Sequence, residues 1–232
     1  MKRITVFTFL FFSISFFFGQ MNPEKWKEDI NFLRENLSKK HYNLFFKREK
    51  PQFDKDLDNL ISKTKTISDL EIALKLQQII AKQGDTHTNI SWGKYLSNDK
   101  ILPLRFFYFE DGIYVTLTNQ KNKELLGKKI IKINGFDIKK VTDSISSLFV
   151  NENKAIYKSK SLTGLHSTQL LRFFGFAKND SIKITFQNSN LLTEKTLLPE
   201  EIKDDDKIKI NPQNITFIRE NKKKIFVVII WI

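Results

Sequence analysis

The residues most able to do chemistry are three histidines, His41, His87 and His166. His87 lies in Gly84-Asp85-Thr86-His87-Thr88, with a carboxylate two residues before it. Imidazole titrates near neutrality, so a histidine held by an orienting partner suits general-base work. Asp85 is the local candidate for that partner. The alternative is a turn in which Asp85 and Thr86 satisfy loop main chain and His87 is incidental. His41, in Lys39-Lys40-His41-Tyr42, reads as part of a solvated helix end. His166 has Ser161 and Ser167 close in sequence, but no nucleophile elbow surrounds either serine. No His-Glu-x-x-His or comparable cluster supplies three convergent metal ligands, and no glycine loop would cradle a phosphate. The sequence therefore implies no cofactor and no metal.

The elements that must position these groups follow from patterning. Residues 22–92 read as largely helical. Asn22 is a cap and Pro23 suits the first helical position, where its missing N–H costs nothing. Trp26, Ile30, Leu33 and Leu37 recur at helical spacing, with Phe32 on the flank. A second helix begins near Pro51 and buries Phe53, Leu57, Leu60 and Ile61. The third opens on a Ser68/Glu71 capping box with Ile67 stapled against Ile72, presents Leu70, Ala73, Leu74, Leu76, Ile79 and Ile80, and stops at Gly84. His87 thus sits where helical patterning gives way to strand patterning.

After Leu102-Pro103 the period shortens. Leu104 to Phe109 and Ile113 to Leu117 flank an Asp111-Gly112 turn, and Lys129 to Ile133 and Phe136 to Ile138 flank Asn134-Gly135, a strong hairpin signal. Short helices are expected over 141–149 and 168–174, and strands over 181–186 and 194–198. The middle of the chain is a β-rich module with one or two helices, and there is no internal repeat.

Composition bounds the setting. The 232 residues carry 39 Lys and Arg against 26 Asp and Glu, a formal charge of +13, and no cysteine. Thiol catalysis and thiolate metal sites are excluded. The lysines are scattered through every segment without an arginine cluster or a zinc-finger spacing, which describes a solvated surface rather than a nucleic-acid footprint. Met1-Lys2-Arg3 followed by a mostly apolar run, Ile4 to Phe18, matches a signal peptide over residues 1–19 and is short for a membrane span. Export to the periplasm or the medium is expected, with no membrane association after cleavage. At the other end, Asn214 to Arg219 starts as a strand, and Ile225 to Ile232 is wholly apolar. Uncovered, such a run is an aggregation-prone edge; inside a parallel sheet it is an ordinary strand. It predicts a chain that stops inside a larger domain.

Several of these segments, in order, resemble one family. They are Trp26 with Asp29-Ile30-Asn31-Phe32-Leu33; Lys40-His41-Tyr42-Asn43-Leu44-Phe45; Gly84-Asp85-Thr86-His87-Thr88; Leu102-Pro103-Leu104; Asp111-Gly112-Ile113-Tyr114-Val115; and Leu126-Gly127-Lys128-Lys129-Ile130-Ile131-Lys132-Ile133-Asn134-Gly135. The stretch from Trp26 to Leu198 is similar to the upstream part of the tail-specific (C-terminal processing) serine peptidases, especially their tricorn-like exported branch. Thr86 stands where that family has glycine. The resemblance implies an α+β chain: a signal peptide (1–19), a helical N-terminal region (22–92), a PDZ-like module (101–200), and the truncated first strands (212–232) of an α/β protease core. It implies His87 as general base, Asp85 as its orienter, and a serine belonging to a domain beyond residue 220. Without that serine the chain would be inactive, because a base alone performs no acyl transfer. The implied partners are peptide or unfolded-protein C-termini, with Gly112 and Gly127 as candidate peptide-binding positions. No Gly-Leu-Gly-Phe carboxylate loop is present. The alternative is a stand-alone periplasmic peptide-binding module.

Overall fold

Trp26 and Ile30 are buried and lie one helical turn apart, which makes the first helix amphipathic. This helix, α1, spans Pro23–Lys40, and Asn22 caps it by accepting the Glu24 N–H. α2 (Lys50–Ile61) buries Phe53, Leu57 and Leu60. α3 (Asp69–Ala81) begins at the expected box: Ser68 Oγ accepts the Glu71 N–H and the Glu71 carboxylate accepts the Ser68 N–H. Asp69 also ties α3 to the start of α1, accepting from Trp26 Nε1 at 2.6 Å and from the Met21 N–H at 2.8 Å. The three helices share one apolar cluster, in which Phe53 and Leu57 are fully buried. Truncating either to Ala costs about 2–5 kcal/mol, the range for large-to-small core changes. The computed structural model describes residues 21–209, together with the backbone of 215–220 and 223–228.

The chain is α+β. Its main sheet is antiparallel, in the order β1 (Leu104–Tyr108), β2 (Ile113–Asn119), β3 (Lys129–Ile133), β5 (Ile182–Asn188) and β6 (Leu191–Leu197). The two-residue β4 (Phe136–Asp137) pairs with β3, and β7 (Lys207–Lys209) pairs with β2. Both expected turns form. Asn134 and Gly135 have φ of 48° and 83°, the left-handed pair that a two-residue hairpin requires. Three helices lie between β4 and β5: α4 (Ile138–Ser146), α5 (Lys154–Lys160) and α6 (Thr168–Phe173). Val141 and Ile145 of α4 and Leu171 of α6 join Val115, Ile130, Ile184 and Phe186 in a second core.

Two differences from the sequence expectation have local causes. The helix expected at 141–149 runs over 138–146, because Asp137 caps it by accepting the Lys139 N–H. α5 was not expected; it is seven residues long and none of them is buried, so it carries no apolar stripe. Near the C-terminus β8 (Ile215–Glu220) and β9 (Lys223–Val228) pair antiparallel as a two-stranded sheet. The signal-peptide expectation, residues 1–19, lies outside the described residues.

The helical part and the sheet meet along α3. Leu74 is fully buried against Leu148 and Leu170, with Trp92, Phe149 and Phe173 packed around them. Gln77, also buried, donates from Nε2 to the Leu148 carbonyl at 2.6 Å, and its Oε1 accepts the Ile90 N–H at 2.7 Å.

Candidate functional site

The sequence motif that carries His87 is built at the end of α3. The Gly84 N–H closes the last turn onto the Ala81 carbonyl at 3.1 Å, and Gly84 itself turns left-handed at φ +89°. The side chains of Phe46 and Lys47 lie over it: a Cβ placed there would fall 2.5 Å from Lys47 Cδ and 3.1 Å from Phe46 Cζ. The loop after α1 therefore rests on the loop after α3. That contact places His41, the C-cap residue of α1, beside Asp85.

Asp85 is the hub. Its Oδ2 lies 3.0 Å from His41 Nε2 and accepts the Thr88 hydroxyl, while its Oδ1 accepts the main-chain N–H of His87 at 3.1 Å. These donors hold the carboxyl down at about 2, the Thr88 hydroxyl first, then the His87 N–H, then the His41 ring. Asp85 is thus ionised across the neutral range. The Asn43 N–H donates to His41 Nδ1 at 3.1 Å, so that nitrogen is the acceptor and the neutral ring carries its proton on Nε2, facing the carboxylate. The side chains of His41 and Asp85 are only 18% and 21% exposed, which shields the pair partly from water.

His87 is exposed, and its ring makes no hydrogen bond to the described residues. Asp85 reaches it through the main chain alone; the ring that Asp85 holds is that of His41. The reading of His41 as a solvated helix end has the helix end right and the solvation wrong. Nothing in the local sequence signals this pairing, since the two residues are 44 positions apart.

The remaining candidates have structural occupations. The His166 carbonyl accepts the Leu102 N–H at 2.8 Å, and burial, with the Arg105 charge, pushes its ring down to about 4, so it is neutral. Ser167 caps α6 by accepting the Leu170 N–H, and Ser161 is buried. Gly112 sits in the β1–β2 turn, its carbonyl accepting from the Phe109 N–H at 2.8 Å. The Gly127 N–H is taken up by the Val115 carbonyl at 2.9 Å in the turn before β3. Among the described residues there is no group of three or more His, Asp or Glu placed to hold a metal ion, and no helix long and apolar enough to cross a membrane.

No protein-family model matches the sequence, and no curated protein matches it. Among solved structures, two crystal structures of CPAF, one of the mature protein and one of a mutant, each align with a TM-score of 0.47 at 15% identity. The alignment covers 75% of this chain, and this chain spans 34% of theirs.

Proposed function

We propose that this chain is the N-terminal part of an exported serine-type peptidase resembling the tail-specific proteases. His87 is its general base, on a loop fixed by Asp85, and the serine it would activate belongs to a domain outside the described residues. The observation that carries this reading is the exposed, unengaged imidazole of His87 on a loop whose carboxylate is fully occupied in holding it. A base of this kind needs a reacting hydroxyl within about 3 Å, and no serine hydroxyl hydrogen-bonds to His87 among the described residues. On this reading the chain alone is inactive, and the β8–β9 hairpin belongs to a protease core.

The test uses the purified chain with an unstructured fluorogenic peptide and a serine-directed phosphonate probe. The expected result is neither turnover nor labelling. Serine-dependent hydrolysis by the chain alone would overturn the inactivity. In a longer product carrying a downstream serine, His87→Ala is expected to lower turnover by at least a hundredfold, the usual weight of a general base. An unaffected rate would remove His87 from the chemistry.

A second reading is favoured by the sheet edge. Among the described residues β1 pairs with β2 alone, which leaves one strand edge for an extended peptide to join in a PDZ-like manner. On that reading the chain is a periplasmic capture module for peptide or unfolded-protein C-termini. Binding of peptides with a free C-terminus, lost on amidation, would support it; equal binding of both forms would not.

A further inference from the structure

We infer that His41 is a positioning residue for His87, acting through Asp85; this rests on the general-base reading of His87 given above. The carboxylate of Asp85 is divided. One oxygen accepts the His87 N–H, and the other accepts the Thr88 hydroxyl and faces His41 Nε2. The first bond sets the main chain from which the His87 ring projects. Thr88 is on the same loop and moves with it. His41 is the donor in this set that belongs to a different element, the end of α1. It therefore anchors the His87 loop to something outside itself.

The anchor has a defined protonation pattern. With Nδ1 accepting the Asn43 N–H, the neutral ring can only donate from Nε2, toward Asp85. The turn after α1 and the turn after α3 thus share one chain of bonds: Asn43 N–H to His41, His41 to Asp85, and the His87 N–H to Asp85. A charge-assisted bond to an ionised carboxylate is roughly twice as strong as a neutral one. A hydrophobic residue at 41 would leave that oxygen of Asp85 with Thr88 as its remaining side-chain donor and detach the loop from α1. A glutamine reproduces the donor at similar reach.

The experiment uses the purified chain labelled with nitrogen-15, in its wild-type form and as His41→Gln and His41→Leu. Long-range proton–nitrogen spectra read the ring tautomers, and amide hydrogen exchange reads the His87 N–H. In the wild type, His41 is expected to show the Nε2–H tautomer and the His87 amide to be protected. In His41→Leu that protection falls at least tenfold, while amides of Ile184 and Phe186 in β5 keep theirs and show the fold intact. His41→Gln restores most of the His87 protection. An Nδ1–H tautomer at His41, or a His87 amide indifferent to His41→Leu, would overturn the assignment. Because the readout needs no turnover, an indifferent amide removes the positioning role and leaves the general-base reading untouched. Turnover insensitive to His87→Ala in a serine-bearing product removes both.

Discussion

Asn134 and Lys183 clasp each other through two bonds: the Asn134 N–H donates to the Lys183 carbonyl at 2.7 Å, and the Lys183 N–H donates to Asn134 Oδ1 at 2.8 Å. Asn134 Nδ2 also donates to the Phe176 carbonyl at 2.8 Å. The residue that makes the tight turn after β3 thereby sets where β5 begins its pairing with that strand. Asn134→Gly keeps the left-handed backbone and loses both side-chain bonds. It is expected to cost about 1–2 kcal/mol, the weight of a hydrogen bond whose partner is left unpaired. Asn134→Ala adds the left-handed penalty of about 1–2 kcal/mol, so urea titration should place it below the glycine variant. A glycine variant with the wild-type midpoint would show that the clasp contributes nothing, and equal midpoints for the two variants would show that the backbone penalty does not.

The burial of His166 makes a pH prediction with a definite sign. Its folded value, about 4, lies below the ordinary 6.5, so the unfolded chain takes up the proton first. Stability is fully present above about pH 6.5, declines as pH falls toward 4, and loses up to about 3 kcal/mol over that window. His166→Phe should flatten the profile between those limits, measured as urea midpoint against pH. A parallel decline in the variant would assign the acid sensitivity elsewhere.

Asp85 acts in a lower window. Its carboxyl is held at about 2 against an ordinary 3.8, so its contribution is present above about pH 4 and is lost as pH falls through 2. The shift sets an upper bound of about 2 kcal/mol, which solvent screening at this partly exposed pair reduces. Asp85→Asn should cost up to that much at neutral pH and should abolish the loss between pH 4 and 2. Thermal unfolding across that range checks both.

Gly84 is expected to resist substitution. Alanine there meets a left-handed φ of +89° and a Cβ position 2.5 Å from Lys47 Cδ. Lysine is flexible and can swing away, so the backbone term dominates, at about 1–2 kcal/mol. Gly84→Ala should lower the urea midpoint by that amount. A double variant with Lys47→Ala should recover little of it; full recovery would mean that crowding, not φ, was the cost.

The helical half was largely legible because its signals are local. The Ser68/Glu71 box, the Asn22 cap with Pro23 and the spacing of Phe53, Leu57 and Leu60 each act within one or two turns. The Asp111-Gly112 and Asn134-Gly135 turns were legible for the same reason. What patterning could not supply was partnership over distance. It placed β3 beside β4 but could not show that β5, some fifty residues on, is the longer partner of β3. α5 has no fully buried residue and left no stripe to read. At the site, motif and spacing pointed to Asp85 and His87, and both do share a hydrogen bond. That the carboxylate would face His41 depended on the packing of Phe46 and Lys47 over Gly84, a tertiary fact with no trace in either short segment.

Gln77 has one further consequence. Its single amide grips the Leu148 carbonyl on the sheet side and the Ile90 N–H just past the histidine loop. It joins the helical part to the sheet at one buried side chain. Gln77→Ala would therefore release the Leu148 carbonyl and the Ile90 N–H together, one on each side of the seam along α3.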